Sequence, residues 1–141
     1  MGKLEQFSRS YFQQQVITNN KMKTINYNEM ATTNNPHGVD ARKLHANDDV
    51  QVVHIHLKPG ESLKKHTTAV NVFFYVLEGE GVIEIGDEKQ TATKDWLIDS
   101  PKNIPHCLYN ESNADFRVLV VKTPSPTAEQ NRNDIQNMQN K

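Results

Sequence analysis

The residues best able to do chemistry in this 141-residue chain are two histidines in matching contexts. His66 follows a Pro59-Gly60 turn and precedes the apolar run Val70–Leu77. His106 follows Pro101-Lys102-Asn103-Ile104-Pro105 and precedes Cys107 and Leu108, with Asn110 shortly after. Neutral imidazole is the side chain most often found on a metal ion. Two histidines that each begin an apolar strand can meet inside a closed β-barrel. There they could hold a divalent transition metal (Zn, Ni, Fe, Mn or Cu), or line a pocket that stays metal-free. His54 and His56 alternate along one segment and so share a strand face. Facing inward, they would be additional ligands. Val53, Ile55 and Leu57 on the opposite face suit an interior better, so His54 and His56 are expected to face outward, at a subunit contact. Cys107 points away from His106 by the same alternation, which argues against a Cys-His nucleophile pair. The chain shows no Ser-His-Asp pattern, phosphate loop or Cys-x-x-Cys.

The elements that must position these residues read as strands. Residues 50–58 alternate and end at Pro59-Gly60. Residues 70–77 are apolar on both faces, which calls for burial on both: one in a barrel interior, the other against a second layer or subunit. Gly79-Glu80-Gly81 turns the chain, and Val82–Ile85 is expected to return as a hairpin. Further strands are expected near 89–93, 95–99, 105–110 and 116–122. Short strands at even spacing indicate an all-β sandwich or barrel. Strand parity from His66 turns Thr68, Val72, Phe74 and Val76 inward. Leu108 and Asn110 share a face with His106, and Trp96 and Ile98 sit on a neighbouring strand. The expected ligand pocket is therefore Thr68, Val72, Phe74, Trp96 and Leu108 around the histidines.

Domain organisation follows the apolar density. Residues 1–22 form an extension in which Leu4, Phe7 and Tyr11 recur at helical spacing. Residues 23–123 hold the barrel, with Ile25, Tyr27, Val39 and Leu44 as marks of short strands. Residues 124–141 read as a polar tail without fixed structure beyond a transient helix, whose only large apolar residues are Ile135 and Met138.

Composition narrows the function. Hydrophobic residues make up 35% of the chain and the net charge is −1, with no block of like charge to attract nucleic acid or an anionic membrane. One cysteine excludes an intrachain disulfide framework. No apolar run approaches the ~20 residues of a membrane span, and the N-terminus lacks a signal-peptide core. A cytoplasmic protein is expected.

Over residues from about 40 to 122 the chain resembles the cupin superfamily. Gly60, His66 and Gly79 match fixed positions of that family's first motif, and Pro101, His106 and Asn110 match its second. The short segment between the motifs is similar to that of compact microbial members. The resemblance implies a single double-stranded β-helix, or jelly-roll barrel, that assembles as a homodimer. It also implies a metal held by three histidines and a glutamate. This chain departs from that set. The second histidine falls on Thr68, and the glutamate on Val72 or, in a longer register, Phe73. Motif glycines are replaced by Asp95 and Asn103. Carried over position by position, only His66 and His106 remain as metal ligands.

Three functions are consistent with these features. The first is a metal-binding cupin acting on a small organic molecule, as an oxygenase, isomerase or lyase. The second is a metal-free cupin that binds or senses a small ligand. The third is an interaction protein whose barrel is structural.

Overall fold

The structure, a computed structural model, describes residues 21–139. The expected N-terminal extension lies, apart from its last two residues, outside the described residues. Among the described residues nine strands form two antiparallel sheets. They are β1 (Asp40–Ala46), β2 (Gln51–Leu57), β3 (Ser62–His66), β4 (Asn71–Glu78), β5 (Glu80–Ile85), β6 (Glu88–Thr93), β7 (Leu97–Ser100), β8 (His106–Tyr109) and β9 (Phe116–Thr123). One sheet has the order β1-β2-β9-β4-β7, the other β3-β8-β5-β6. This is the expected single jelly-roll barrel.

Alternation decides what lies between the sheets. Ile55 and Leu57 on β2, Val72, Phe74 and Val76 on β4, and Val118 and Val120 on β9 turn inward from the larger sheet. Leu63, Ile83, Ala92 and Leu108 meet them from the smaller one. Each large apolar side chain removed from water here contributes about 1.5–3 kcal/mol. The other face of β4 (Phe73, Tyr75, Leu77) is only half buried.

Three expectations need correction. Residues 82–85 do not form a hairpin with the strand before them: β4 pairs with β7 and β9, while β5 pairs with β6 and β8. Gly79, at φ +85°, is the corner where the chain leaves one sheet for the other. The hairpin lies one strand later, between β5 and β6, over Gly86-Asp87. The second correction concerns residues 124–141. Ala128–Gln139 form a helix, α1, that packs against β3. Its start is a capping box. The Thr127 hydroxyl accepts from the Gln130 N–H at 3.1 Å, and the Thr127 N–H donates to the Gln130 side chain at 2.9 Å. Ile135 and Met138, three apart, share a helix face, and Met138 is buried.

Near the start of the described chain, Tyr27 lies in a 3-10 turn, Tyr27–Glu29, rather than in a strand. Its ring covers the outer face of the larger sheet. Asp95 and Asn103, at the positions of the missing motif glycines, keep the left-handed backbone, with φ of 75° and 64°. Asp and Asn tolerate this region better than other non-glycine residues. No described helix is long and apolar enough to cross a membrane.

Candidate functional site

A cavity of about 230 Å³ opens between the sheets at the end covered by α1. Its apolar walls include Ile55, Leu63, Phe74 and Val120, and three imidazoles enter it: His37, His66 and His106. The His66 and His106 rings lie edge to face at 4.6 Å between centroids, and His37 lies 5.2 Å from His66. The edge of Phe74 supports His106 at 5.3 Å.

A break in strand pairing sets two of these rings. β3 pairs with β8 at Leu63 and again at His66, with a register shift between. The shift releases the backbone of Lys64 from the ladder. Its N–H donates to Nδ1 of His37 at 2.8 Å, and its carbonyl accepts from Nδ1 of His66 at 2.7 Å. These partners fix the tautomers. A neutral His37 carries its proton on Nε2, and a neutral His66 on Nδ1. The loop before β1 holds His37 in place, because the Asn35 carboxamide accepts from the His37 N–H at 3.1 Å and donates to the Val39 carbonyl at 2.9 Å. His106 is held from the opposite sheet by the buried Ser100 hydroxyl, 2.7 Å from Nδ1.

The electrostatics keep His37 and His106 neutral. Burial, reinforced by His66 and Lys122, lowers His106 to about 3. Burial, with His66 and Lys64, lowers His37 to about 4. Lys122 also enters the cavity, and burial pushes its ammonium pKa down.

These residues do not fit the divalent centre that the family motif implies. The Thr68 hydroxyl, at the second-histidine position, is committed to the Val70 carbonyl at 2.9 Å. Val72, at the glutamate position, is part of the apolar core. His37 cannot replace them while its Nδ1 accepts from Lys64, because its other nitrogen then bears the proton. Among the described residues no three His, Cys, Asp or Glu side chains are placed to hold a metal ion. The nearby Lys122 ammonium further opposes a dication.

The structure brings His66, His106, Thr68 and Phe74 to the cavity. Val72 and Leu108 lie in the core beside it, outside its lining. Trp96 is not in the pocket. It sits in the turn before β7, 45% exposed, because the left-handed residue Asp95 redirects the chain. Asn110 is buried but belongs to a turn, not the cavity.

His54 and His56 do not reach the cavity either, because Val53 and Ile55 take the inward positions of β2. His54 is nonetheless only 1% exposed. Tyr27 stacks over it at 3.8 Å, and Arg117 donates to its Nε2 at 2.8 Å. That bond leaves the proton on Nδ1, which has no hydrogen-bond partner. His56 lies 3.1 Å from the Asp115 carboxylate, a separation without hydrogen-bond alignment. Burial first, then Arg117, lowers His54 to about 4, with Asp40 opposing and His56 and Arg42 adding to the shift. The unfolded chain therefore binds a proton near pH 6.5 that the folded chain takes up only near pH 4. Stability from this group is complete above pH 6.5 and is lost as pH falls toward 4, by roughly 2–3 kcal/mol. Urea titrations at pH 7 and pH 4.5 are expected to show a smaller acid loss for His54→Gln than for the unaltered protein. Equal losses would place the titration elsewhere.

Sequence reasoning missed His37, Lys122 and the helix residues. Lys122 was accessible by parity, since Val118, Val120 and Lys122 share one face of β9. The capping box at Thr127 was the signal for α1. His37 stands in an irregular loop with no periodicity to read.

The cupin domain profile matches residues 53–122. A comparison with curated proteins finds no match. Among solved structures, a Thermus thermophilus protein is similar at 26% identity, with 74% of this chain and 100% of that chain covered and a TM-score of 0.65. The polyketide cyclase RemF from Streptomyces resistomycificus superposes with a TM-score of 0.66 at 21% identity, over 74% of this chain and 81% of that one. A predicted oxalate decarboxylase from Thermotoga maritima does so with a TM-score of 0.66 at 20% identity, over 73% of this chain and 100% of that one. At these last two identities the likeness concerns the fold.

Proposed function

The chain belongs to the cupin superfamily, and on that footing we propose that it binds a compact organic molecule in the His37–His66–His106 cavity without a resident metal ion. One observation carries this reading. Three imidazoles line an apolar cavity, and the position that would supply a ligating carboxylate holds Val72. Such a cavity, with apolar walls and a few fixed polar groups, suits a small organic ligand. His37 offers Nε2–H as a donor, and its orientation is set in advance by Lys64 and Asn35. The contacts of His66 with Lys64 and of His106 with Ser100 likewise hold rings in place for hydrogen bonding. The role is binding or sensing, since the fold alone does not specify a reaction.

Protein purified without a tag is expected to carry far less than one metal per chain by mass spectrometry, and EDTA is expected to leave its melting temperature unchanged. Ligand-observed NMR with a fragment library is expected to find mutually competing binders that Val120→Phe, which fills the cavity, displaces. Near-stoichiometric metal that is lost in the His66→Ala, His106→Ala double variant would overturn the reading, as would fragments indifferent to Val120→Phe.

The assembly proposed with it is a homodimer. The half-buried Phe73, Tyr75 and Leu77 and the exposed Leu97 on the outer face of the larger sheet support it. A cytoplasmic setting suits the free, buried thiol of Cys107.

A further inference from the structure

Lys122 is a charged residue of the cavity whose chemistry ligand binding by the imidazoles leaves unused. It follows Val118 and Val120 on the inward face of β9, between Gln51 of β2 and Val72 of β4. Its ammonium makes no hydrogen bond or contact ion pair among the described residues. Lys122 is half-buried, so its charge is partly desolvated, and an opposite charge brought into the same enclosure recovers part of that cost.

Few groups near it could do this. Asp134 of α1 is the carboxylate that acts on it, but it is held by the Ala69 N–H at 3.4 Å, and burial raises its own pKa. Lys43 of β1 adds a second positive charge to the lining. The imidazoles of His37, His66 and His106 complete the titratable set around the cavity. Charged groups of the lining therefore sum to an excess of cations, with Lys43 and Lys122 against Asp134.

We infer that the ligand of this cavity is a small organic carboxylate with an apolar body, its head paired with the Lys122 ammonium beneath α1 and its body against Phe74, Ile55 and Val120. The inference rests on the ligand-binding reading and adds the ligand's charge class. A monoanion suits one unpaired ammonium assisted by the Nε2–H of His37 better than a phosphate dianion, which draws on several cationic or backbone donors. Size agrees. At about 30 Å³ for each water in the liquid, the cavity of about 230 Å³ has the volume of roughly eight waters. That admits benzoate or a short branched acid. Asp134 then acts as the intramolecular counter-charge with which the ligand competes.

Calorimetric titration of the full chain with benzoate, benzamide, 3-methylbutanoate and 3-methylbutanamide tests this. Each acid is expected to bind at least tenfold more tightly than its amide. Lys122→Met is expected to bring acid and amide within about twofold. Asp134→Asn is expected to tighten the acids severalfold and leave the amides unchanged, which decides the matter if Lys122→Met does not fold. Acids and amides of equal affinity, both displaced by Val120→Phe, would overturn the charge assignment and leave the cavity reading standing. No binding by any of the four probes would overturn both.

Discussion

Gly79→Ala is expected to be the most damaging single methyl that can be added to this protein. Gly79 carries φ +85° at the corner between β4 and β5, where an L side chain is strained. A Cβ there would also drive into the backbone carbonyl of Asp115, just before β9. Neither partner can swing aside, because both are main chain anchored at strand ends. Left-handed strain costs about 1–2 kcal/mol, and the collision raises the total to about 4 kcal/mol. That is a large share of the roughly 5–15 kcal/mol that typically holds a domain together. Urea denaturation is expected to show a lower midpoint at unchanged slope. A loss under about 1 kcal/mol would mean that the corner opens without cost, and that Gly79 does not pin the two sheets.

Asn110→Ala is expected to cost about 3 kcal/mol, and to do so without touching ligand binding. Asn110 is 1% exposed and fully committed. Its amide donates to the Leu57 carbonyl at 2.9 Å and the Ala114 carbonyl at 2.7 Å. Its carbonyl accepts from the Ser112 N–H at 2.9 Å and the Ser112 hydroxyl at 2.7 Å. One side chain thus ties the end of β2 to the turn between β8 and β9. Alanine strands the buried Leu57 carbonyl and frees the turn. Asn110→Asp is expected to be worse at neutral pH, since a carboxylate oxygen would then face two carbonyl oxygens. Chemical denaturation of both variants, beside benzoate titration, checks the pair of claims. A stable Asn110→Ala protein that no longer binds the acid would make Asn110 a ligand contact instead.

The two motif ends divide in an instructive way. His66 and His106 were legible as a pair because each follows a proline-containing turn and stands beside an apolar run, although His66 ends β3 and only His106 opens a strand. The structure does bring their rings to 4.6 Å. Asn110 belongs to the same motif by spacing, yet its work is confined to a turn. Spacing records which residues the fold holds in register, and does not separate a residue that faces a ligand from one that closes a loop. The same limit explains Trp96. Strand alternation counted it as inward, but Asp95 is left-handed, and one such residue resets the parity of its successors. His54 shows the converse. Its outward position follows from Val53 and Ile55, but its burial depends on Tyr27, which folds over it from outside any strand.

The sequence by itself determined the all-β barrel, the strands from β2 onward except β3, the inward face of β2 and the absence of the family's glutamate. These are local quantities: alternation, turn residues and identities at fixed spacings. Only the tertiary structure decided that β4 and β5 belong to different sheets, that His37 and Lys122 join His66 and His106, and that α1 covers the cavity. Those facts depend on groups far apart in the chain meeting in space. The backbone of Lys64 reaches back to His37, Ser100 crosses to His106 from the opposite sheet, and Asp134 bonds to Ala69. A periodic pattern cannot encode such meetings, because they are set by how the two sheets and the helix pack rather than by any one element's period.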